Sequence, residues 1–438
     1  MVFKNLTPEL AGMLSGIAGE RISRNLVPGQ DYLPASGKVM FEQDLLYGID
    51  AVLDGWLTGG RFNKEFESRL AKMVGSRRAL TVNSGSSANL LAVATLSSPR
   101  LGDRALKAGD EVITVASGFP TTVNPILQYH CTPVLLDVTL PGYNLDTSRL
   151  EEALSERTKA IMIAHTLGNP FDLDAVMSFA KRHGLWVIED NCDALGAEYD
   201  GKKTGSFGHL GTCSFYPAHH ITMGEGGALL INDPELIRIA ESLRDWGRDC
   251  WCETGHDNTC RNRFNGQHGD LPFGYDHKYV YSERGYNFKI TDIQAAIGLS
   301  QLDRIEPFAE KRRKNHRYLT RALNAVAGED IITDLALPKA TPSWFGCTVT
   351  LRDSFPGNRH ELLQYLESQK IGSRLLFAGN ILKQPGYRDM PHRVVGSLDR
   401  TDRVMNDTFW IGIWPGLEPV HLDYIAETVA RYIDMKKK

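Results

Sequence analysis

Three of the chain's seven cysteines, Cys250, Cys252 and Cys260, lie within eleven residues. Cysteine thiolates bind iron–sulfur clusters or zinc, so the spacing C-x-C-x7-C indicates a metal site. With Cys192 as a fourth thiolate, the set predicts the ligands of a 2Fe-2S cluster. Structural zinc is the alternative, although zinc-binding cysteines commonly come in pairs separated by roughly two to four residues.

Residues 83–93, NSGSSANLLAV, indicate an anion-binding segment. A strand end passes through small residues into a helix, which offers free backbone N–H groups and hydroxyls to a phosphate. Ser86 and Ser87 are the predicted phosphate contacts. An ordinary serine-capped helix start has the same sequence, so this segment alone does not define a function.

The apolar run WVIED at residues 186–190 ends in two acidic residues, Glu189 and Asp190. A carboxylate at the end of a buried strand is well placed to keep a pyridine nitrogen protonated, which makes the ring an electron sink. A helix cap is the commoner role of such a residue. The carboxylate therefore indicates a cofactor site only if the fold brings it close to the phosphate segment.

The elements that would position these residues alternate between strands and helices from residue 60 to about 240. Short apolar runs predict strands at EVITVA, TPVLLDV, KAIMIAH and LWVIED, and periodic segments predict helices at ANLLAVATL, LEEAL and LDAVMSFAKRHG. This alternation predicts an α/β fold with a mainly parallel sheet covered on both faces. Ligands of such sheets bind at the carboxyl ends of the strands, where Asp190 lies.

Three parts of the chain are predicted. Residues 1–45, which include the turn-rich LVPGQDYLPASGK, form an N-terminal arm. Residues 46–310 form a large cofactor-binding α/β domain, in which the polar, aperiodic stretch 250–281 is a long loop. Residues 311–438 form a smaller C-terminal α+β domain.

The composition disfavours several classes of protein. The chain has 438 residues, a formal net charge of −4 and no long basic run, so nucleic acid is not an expected partner. No apolar stretch reaches the roughly 18 residues of a membrane span, and the N-terminus has no signal-peptide core. An odd number of cysteines fits poorly with a complete disulfide set, and we expect a cytoplasmic protein.

Together, the phosphate segment and residues 186–229 resemble the DegT/DnrJ/EryC1/StrS family of sugar aminotransferases and dehydratases, and the resemblance extends from about residue 45. It implies the aspartate-aminotransferase-like (type I pyridoxal-phosphate) fold and a pyridoxamine or pyridoxal phosphate cofactor. It also implies that Phe119 stacks on the cofactor ring, that Asp190 meets the pyridine nitrogen, and that Asp193 lies near the ring hydroxyl.

Two further residues take their roles from the same resemblance. Ser214, in the family motif S-F-x-P, would hold the cofactor phosphate. Asn287, in the motif G-Y-N, would reach the phosphate bound by the neighbouring subunit. The resemblance therefore implies a homodimer.

One position departs from the family motif. Where relatives have lysine, five residues after Ser214 and 29 after Asp190, this chain has His219, and the adjacent His220 is the less favoured alternative. Lysine forms an imine with the aldehyde cofactor, whereas histidine cannot, although it can act as a base near neutral pH. We expect His219 to be the catalytic base, working with the amine form of the cofactor. Tyr216 is expected either to hydrogen-bond the substrate or to pack in the core.

With histidine at this position, the chain resembles a small branch of the family, the 3-dehydratases of nucleotide-bound 4-keto-6-deoxyhexoses. With the cysteines, the resemblance implies a 2Fe-2S enzyme that removes the C3 hydroxyl of CDP-4-keto-6-deoxy-D-glucose in 3,6-dideoxyhexose and lipopolysaccharide O-antigen biosynthesis. It also implies an NAD(P)H-dependent flavin iron–sulfur reductase as partner. The alternatives are a cluster-free dehydratase of the colitose type, a nucleotide-sugar aminotransferase, and a cofactor-free binding protein.

Overall fold

Helices and strands alternate along most of the chain in a computed structural model, which describes residues 3–22, 25–253 and 255–438. The α-helices in these ranges are α1 (Pro8–Ile22), α2 (Glu42–Leu53), α3 (Arg61–Val74), α4 (Gly85–Leu96), α5 (Pro120–Gln128), α6 (Leu150–Ala153), α7 (Leu173–His183), α8 (Glu235–Arg244), α9 (Asp292–Gln301), α10 (Ile305–Ala327), α11 (Arg359–Ser368), α12 (Asp399–Asp407) and α13 (Pro419–Lys437). The strands are β1 (Arg78–Val82), β2 (Glu111–Val115), β3 (Thr132–Leu136), β4 (Thr158–Ala164), β5 (Trp186–Asp190), β6 (Glu198–Tyr199), β7 (Lys202–Lys203), β8 (Leu210–Ser214), β9 (Gly227–Ile231), β10 (Ile331–Thr333), β11 (Ala340–Thr341), β12 (Gly346–Leu351), β13 (Ser373–Arg374), β14 (Arg393–Val394) and β15 (Thr408–Gly412).

The main sheet, within the described residues, has eight strands in the order β1-β9-β8-β5-β4-β2-β3-β14. Neighbouring strands from β8 to β14 run parallel, whereas β9 is antiparallel to both β1 and β8. Successive residues of β5 enter different apolar clusters, Val187 on one face and Ile188 on the other. The sheet is thus buried on both sides, as its continuous apolar strands predict, and the predicted α/β fold is confirmed.

A second, antiparallel sheet in the C-terminal part has the order β10-β12-β15-β13. Its core is completed by side chains of α10 and α13. The predicted division at residue 310 falls inside α10, and β14 joins the main sheet beside β3 while β11 pairs with β6. The N-terminal segment also touches this part, because the Leu33 N–H donates to the Lys370 carbonyl (2.8 Å). The domain division itself stays a prediction.

The long loop carrying the three clustered cysteines has no α-helix or strand over its described residues, 250–253 and 255–281. Its one regular piece there is the 3-10 turn His277–Tyr279. The two ends of the loop meet: the Asp249 N–H donates to the Val280 carbonyl (2.9 Å), and the Ser282 N–H donates to the Gly247 carbonyl (2.9 Å). The loop therefore leaves and re-enters the fold at a single place.

Membrane insertion through a helix has no support in the described part of the chain, where each helix is either too short or too polar to cross a bilayer.

Gly168 fixes the segment 343–345 against the main domain. Its carbonyl accepts a hydrogen bond from the Ser343 N–H (3.0 Å), and the neighbouring Leu167 carbonyl accepts one from the Phe345 N–H (2.8 Å). Gly168 has a φ of +85°, and a Cβ at this position would clash with the Ser343 carbonyl oxygen. Only glycine allows both the conformation and the approach.

The variant Gly168→Ala should lower the free energy of unfolding by about 3 kcal/mol, because a clash is added to left-handed backbone strain. Gly184→Ala is the matched control: Gly184 has a φ of +65° and nothing lies within 4 Å of the place that an added methyl group would take, so strain alone should cost about 1 kcal/mol. Urea unfolding measures both losses. Equal losses would show that the approach to Ser343 has no energetic consequence.

Candidate active site

Asp190 lies at the carboxyl end of β5 and is almost completely buried. One carboxylate oxygen accepts hydrogen bonds from the Asn89 side-chain amide (2.8 Å) and the Thr122 hydroxyl (2.7 Å). The other accepts from the Cys192 N–H (3.2 Å). Donors from α4 and α5 thus hold one face of the carboxylate, which is the arrangement needed to orient it toward a ring nitrogen.

The predicted phosphate contacts gather at the start of α4. The Ser84 side chain caps this helix by accepting the Ser87 N–H (3.0 Å), while Ser86 is exposed and Ser87 half-buried. Ser214, at the end of β8, lies directly against the helix start, since a Cβ on Gly85 would sit 2.5 Å from the Ser214 Cβ. Hydroxyls and a helix N-terminus therefore converge in a way that fits a phosphate group.

His219 faces Asp193, with 3.4 Å between the histidine Nδ1 and a carboxylate oxygen, and each side chain is only 15% exposed. Burial and the nearby Arg312 guanidinium lower the pKa of His219 to about 4. Burial and the neighbouring Asp190 charge raise the pKa of Asp193 to about 7. At neutral pH His219 is consequently an unprotonated imidazole, which is the form a general base requires.

His220 has a different environment. Its Nε2 lies 2.6 Å from the Ser343 carbonyl oxygen, and its side chain is buried. The His220 ring therefore contacts a backbone carbonyl, whereas the His219 ring lies near the acidic residues Asp190 and Asp193. This geometry supports His219 over His220 as the functional residue.

Two residues near His219 were not foreseen from the sequence. The Phe345 ring meets the His219 ring edge-on, with 5.3 Å between centroids. Arg312, on α10, is fully buried and donates to the carbonyls of Trp344 (3.2 Å) and Phe345 (3.1 Å). Burial lowers the pKa of Arg312 to about 10. No motif marks either residue, because both come from segments distant in sequence from His219.

Phe119 and Tyr216 both lie at the surface of this region. Phe119 precedes α5, one turn before Thr122, and its exposed ring meets Phe377 edge-on at 5.9 Å. The Tyr216 ring is half exposed, which argues against a packed core tyrosine, and its carbonyl accepts the His219 N–H (2.9 Å). Both rings are therefore free to contact a ligand.

Asn287 makes no side-chain hydrogen bond to the other predicted site residues within the described part of the chain, although the next residue, Phe288, accepts a hydrogen bond from the Asn83 N–H (2.8 Å) at the start of the phosphate segment. The Asn287 side-chain oxygen accepts a hydrogen bond from the Lys289 ammonium (2.6 Å), and its backbone bridges to Asp245. Its role at the cofactor phosphate of a neighbouring subunit stays a prediction.

Cys250, Cys252 and Cys260 line one small pocket together with His277. The Cys252 N–H donates to the Cys250 sulfur (3.4 Å), and the Cys260 sulfur lies 3.8 Å from the His277 Nδ1. The sequence does not predict His277 as part of this pocket, because its spacing from Cys260 matches no known motif.

Cys192 has a separate environment. Its thiol lies 3.8 Å from the Thr212 hydroxyl and close to Gly85, and burial raises its pKa. It is not part of the lining of the three-cysteine pocket. A role for Cys192 as fourth ligand stays a prediction.

The fold and these residues define a protein of the aspartate-aminotransferase-like class with histidine at the lysine position. The DegT/DnrJ/EryC1/StrS aminotransferase family model matches residues 41–430, and the chain belongs to this family.

Named relatives extend the comparison. The lipopolysaccharide biosynthesis protein RfbH of Salmonella typhimurium is 53% identical over 99% of this chain and 100% of RfbH. The dTDP-4-dehydro-2,6-dideoxy-D-glucose 3-dehydratase of Saccharopolyspora spinosa is 49% identical over 94% of this chain and 89% of its own length. Among solved structures, E. coli GDP-4-keto-6-deoxy-D-mannose-3-dehydratase with bound hydrated PLP has a TM-score of 0.80 at 28% identity, covering 91% of this chain and 99% of that chain. The predicted family, fold and enzymatic nature are confirmed.

Asp193 should make stability depend on pH in a predictable direction. Its pKa is raised from 3.8 to about 7, so between these values the folded state keeps a proton that the unfolded state has released. The stability it contributes is present below pH 4 and lost as pH rises to about 7. Asp193→Asn removes this loss, and the free energy of unfolding of the variant, relative to wild type, should rise by about 4 kcal/mol across that range, because about three pKa units at roughly 1.4 kcal/mol each are removed.

Denaturant unfolding at several pH values measures the difference. Asp103→Asn, at a fully exposed position, is the control and should show no such rise. Parallel curves for wild type and Asp193→Asn would contradict the buried, protonated state of this carboxyl.

Proposed function

We propose that this chain is a pyridoxamine-phosphate-dependent dehydratase that removes the C3 hydroxyl of CDP-4-keto-6-deoxy-D-glucose and carries a 2Fe-2S cluster. The main support for this proposal is His219, which occupies the position of the family lysine while the other predicted cofactor-binding residues are present. Among the described residues, no lysine is a hydrogen-bond or ion-pair partner of Asp190, Asp193 or His219. A lysine-based transamination is therefore disfavoured.

The residues present fit a pyridoxamine phosphate. Ser86, Ser87 and Ser214 would hold the phosphate, and Phe119 would stack on the ring. When bound, the cofactor supplies an amine for the C4 ketone of the sugar and a ring that accepts electrons. Asp190 would hold the proton on the ring nitrogen of this cofactor, because a buried carboxylate with fixed donors on one side stabilises the positive charge opposite it.

His219 supplies the proton transfer. With its pKa lowered to about 4, His219 is a neutral imidazole and would serve as the proton acceptor when the cofactor and the sugar are bound. Asp193 lies 3.4 Å from the His219 Nδ1, which has no hydrogen-bond partner among the described residues, so this carboxyl is the nearest group that could set the orientation of the imidazole. Tyr216, exposed in the same turn, would hydrogen-bond the substrate.

The three clustered cysteines support the iron–sulfur part of the proposal. Thr259 donates to the Cys252 sulfur (3.0 Å); burial raises the pKa of this thiol, but hydrogen bonds from Thr259, Cys250 and Cys260 lower it to about 7. Thiolate is the form that binds iron, so the loop favours cluster assembly. With Cys192 as fourth ligand, the cluster would supply single-electron transfer from a flavin iron–sulfur reductase that uses NAD(P)H.

The relatives support the reaction type more directly than the nucleotide. Those named as 3-dehydratases act, by name, on dTDP- or GDP-linked sugars. CDP is proposed from the combination of the histidine with the cysteine spacing. A homodimer is proposed because the family resemblance gives Asn287 a role at the cofactor phosphate of the neighbouring subunit.

His219→Asn should lower kcat by at least about 100-fold with the purified reductase and the nucleotide 4-keto sugar, because a positioned base contributes roughly 10²–10⁴-fold. His130→Asn, at an exposed position, is the control and should retain full activity. Turnover by His219→Asn at the wild-type rate would exclude His219 as the base.

Cys250→Ser should abolish iron binding. Anaerobically purified wild type should contain about two irons per chain with visible thiolate-to-iron absorption, and the variant should lose both. Cys131→Ser is the matched control, since this buried thiol already donates to a carbonyl (3.5 Å), as a serine hydroxyl would. Zinc, or no metal, in the wild type would leave the cluster-free dehydratase as the explanation.

A further inference from the structure

Phe377, in the C-terminal part of the chain, has its ring against Phe119, the residue predicted to stack on the cofactor. The two rings meet edge-on, with 5.9 Å between centroids and 74° between their planes. The Phe119 side chain is 47% exposed, whereas Phe377 is half-buried. Phe119 thus has an aromatic neighbour that supports it and still presents much of its surface to a ligand.

The backbone of Phe377 is strained. Its φ is +45°, in the left-handed region that bulky residues rarely adopt, because the Cβ atom comes too close to a carbonyl oxygen. Gly379 also has a positive φ (+66°), so the chain has glycine at one left-handed position of this turn and phenylalanine at the other. Such strain persists only where the surroundings impose it, and it concentrates at ligand sites. The turn therefore carries the Phe377 ring at an energetic cost.

Two main-chain hydrogen bonds fasten this strained turn to the loop before α5. The Ala378 N–H donates to the Gly118 carbonyl (3.3 Å), and the Ile381 N–H donates to the Ala116 carbonyl (3.0 Å). Gly118 directly precedes Phe119 in the chain, so the first of these bonds acts beside the predicted stacking residue. The pair of bonds therefore fixes the distance between the backbones that carry the two rings.

The backbone of Phe119 is also tied to the acidic partner predicted for the cofactor ring. Its carbonyl accepts a hydrogen bond from the Thr122 N–H (3.0 Å), and the Thr122 hydroxyl donates to Asp190 (2.7 Å). These bonds hold the main chain of Phe119 but leave the rotation of its side chain free. Contact with the Phe377 ring limits that rotation.

We propose that Phe377 is a positioning residue for the cofactor, which holds the Phe119 ring in the orientation needed for stacking. A partly exposed ring samples several rotamers, and ordering it during binding costs free energy. An edge-on neighbour lowers that cost in advance, because aromatic pairs favour this geometry. The inference rests on the proposed function, in which Phe119 stacks on the ring of pyridoxamine phosphate.

Calorimetric titration of the full-length apoprotein with pyridoxamine phosphate tests this role. Phe377→Leu keeps an apolar side chain without an aromatic edge and should weaken binding about fivefold, whereas Phe377→Tyr keeps the ring and should bind as wild type does. Phe207→Leu is the matched control: Phe207 is also half-buried and meets Tyr199 edge-on (6.2 Å between centroids), and neither residue belongs to the predicted cofactor site. Its affinity should equal that of wild type.

A double-mutant cycle separates positioning from general packing. If Phe377 acts through Phe119, Phe377→Leu should cause no further loss of affinity in a Phe119→Leu background. An equal loss in both backgrounds, wild-type affinity in Phe377→Leu, or a fivefold loss in Phe377→Tyr would overturn the inference. Wild-type affinity in Phe119→Leu would instead contradict the stacking itself, and with it this part of the proposed function.

Discussion

Asp190 ties together the segments on which the candidate site depends. Its carboxylate receives hydrogen bonds from α4 through Asn89 and from α5 through Thr122, while the Thr212 hydroxyl of β8 donates to Asn89 (2.7 Å) and lies within 3.3 Å of the carboxylate. A buried carboxylate is tolerated only with such partners. The same bonds set where α4 presents its serines and where α5 presents Phe119. One charge thus fixes both the ring partner and the phosphate end of the site.

The environment of His219 explains how one scaffold serves different reactions in related proteins. Burial and the Arg312 guanidinium disfavour a second positive charge at this position. A lysine placed here would meet the same field, which favours the free amine needed to bond a carbonyl. A histidine in this field is an unprotonated base that cannot form that bond. In this chain, burial and Arg312 thus favour the uncharged form of whichever basic side chain stands at position 219.

The long apolar strands and the helices between them could be predicted because each carries its own periodic signal. The two-residue strands β6, β7, β11, β13 and β14 could not, since pairs this short have no period and exist only through their partners. Asp190, Ser214 and His219 could be found by motif spacing along one segment. Arg312, Phe345 and His277 could not, because their contacts arise from tertiary packing between distant segments. The pairing of β14, from the C-terminal part, with the main sheet could not be predicted either, because it also arises from tertiary packing between distant segments.

The cysteine loop begins and ends at one pair of hydrogen-bonded backbone segments, between Gly247–Asp249 and Val280–Ser282. A segment closed at its base in this way can be lengthened, shortened or removed without changing the register of the sheet, because loop closure is already achieved beneath it. The segment that carries the proposed metal ligands is therefore separable from the rest of the fold. A single insertion or deletion could therefore add or remove the three-cysteine loop in a lineage, leaving the main sheet and His219 in place.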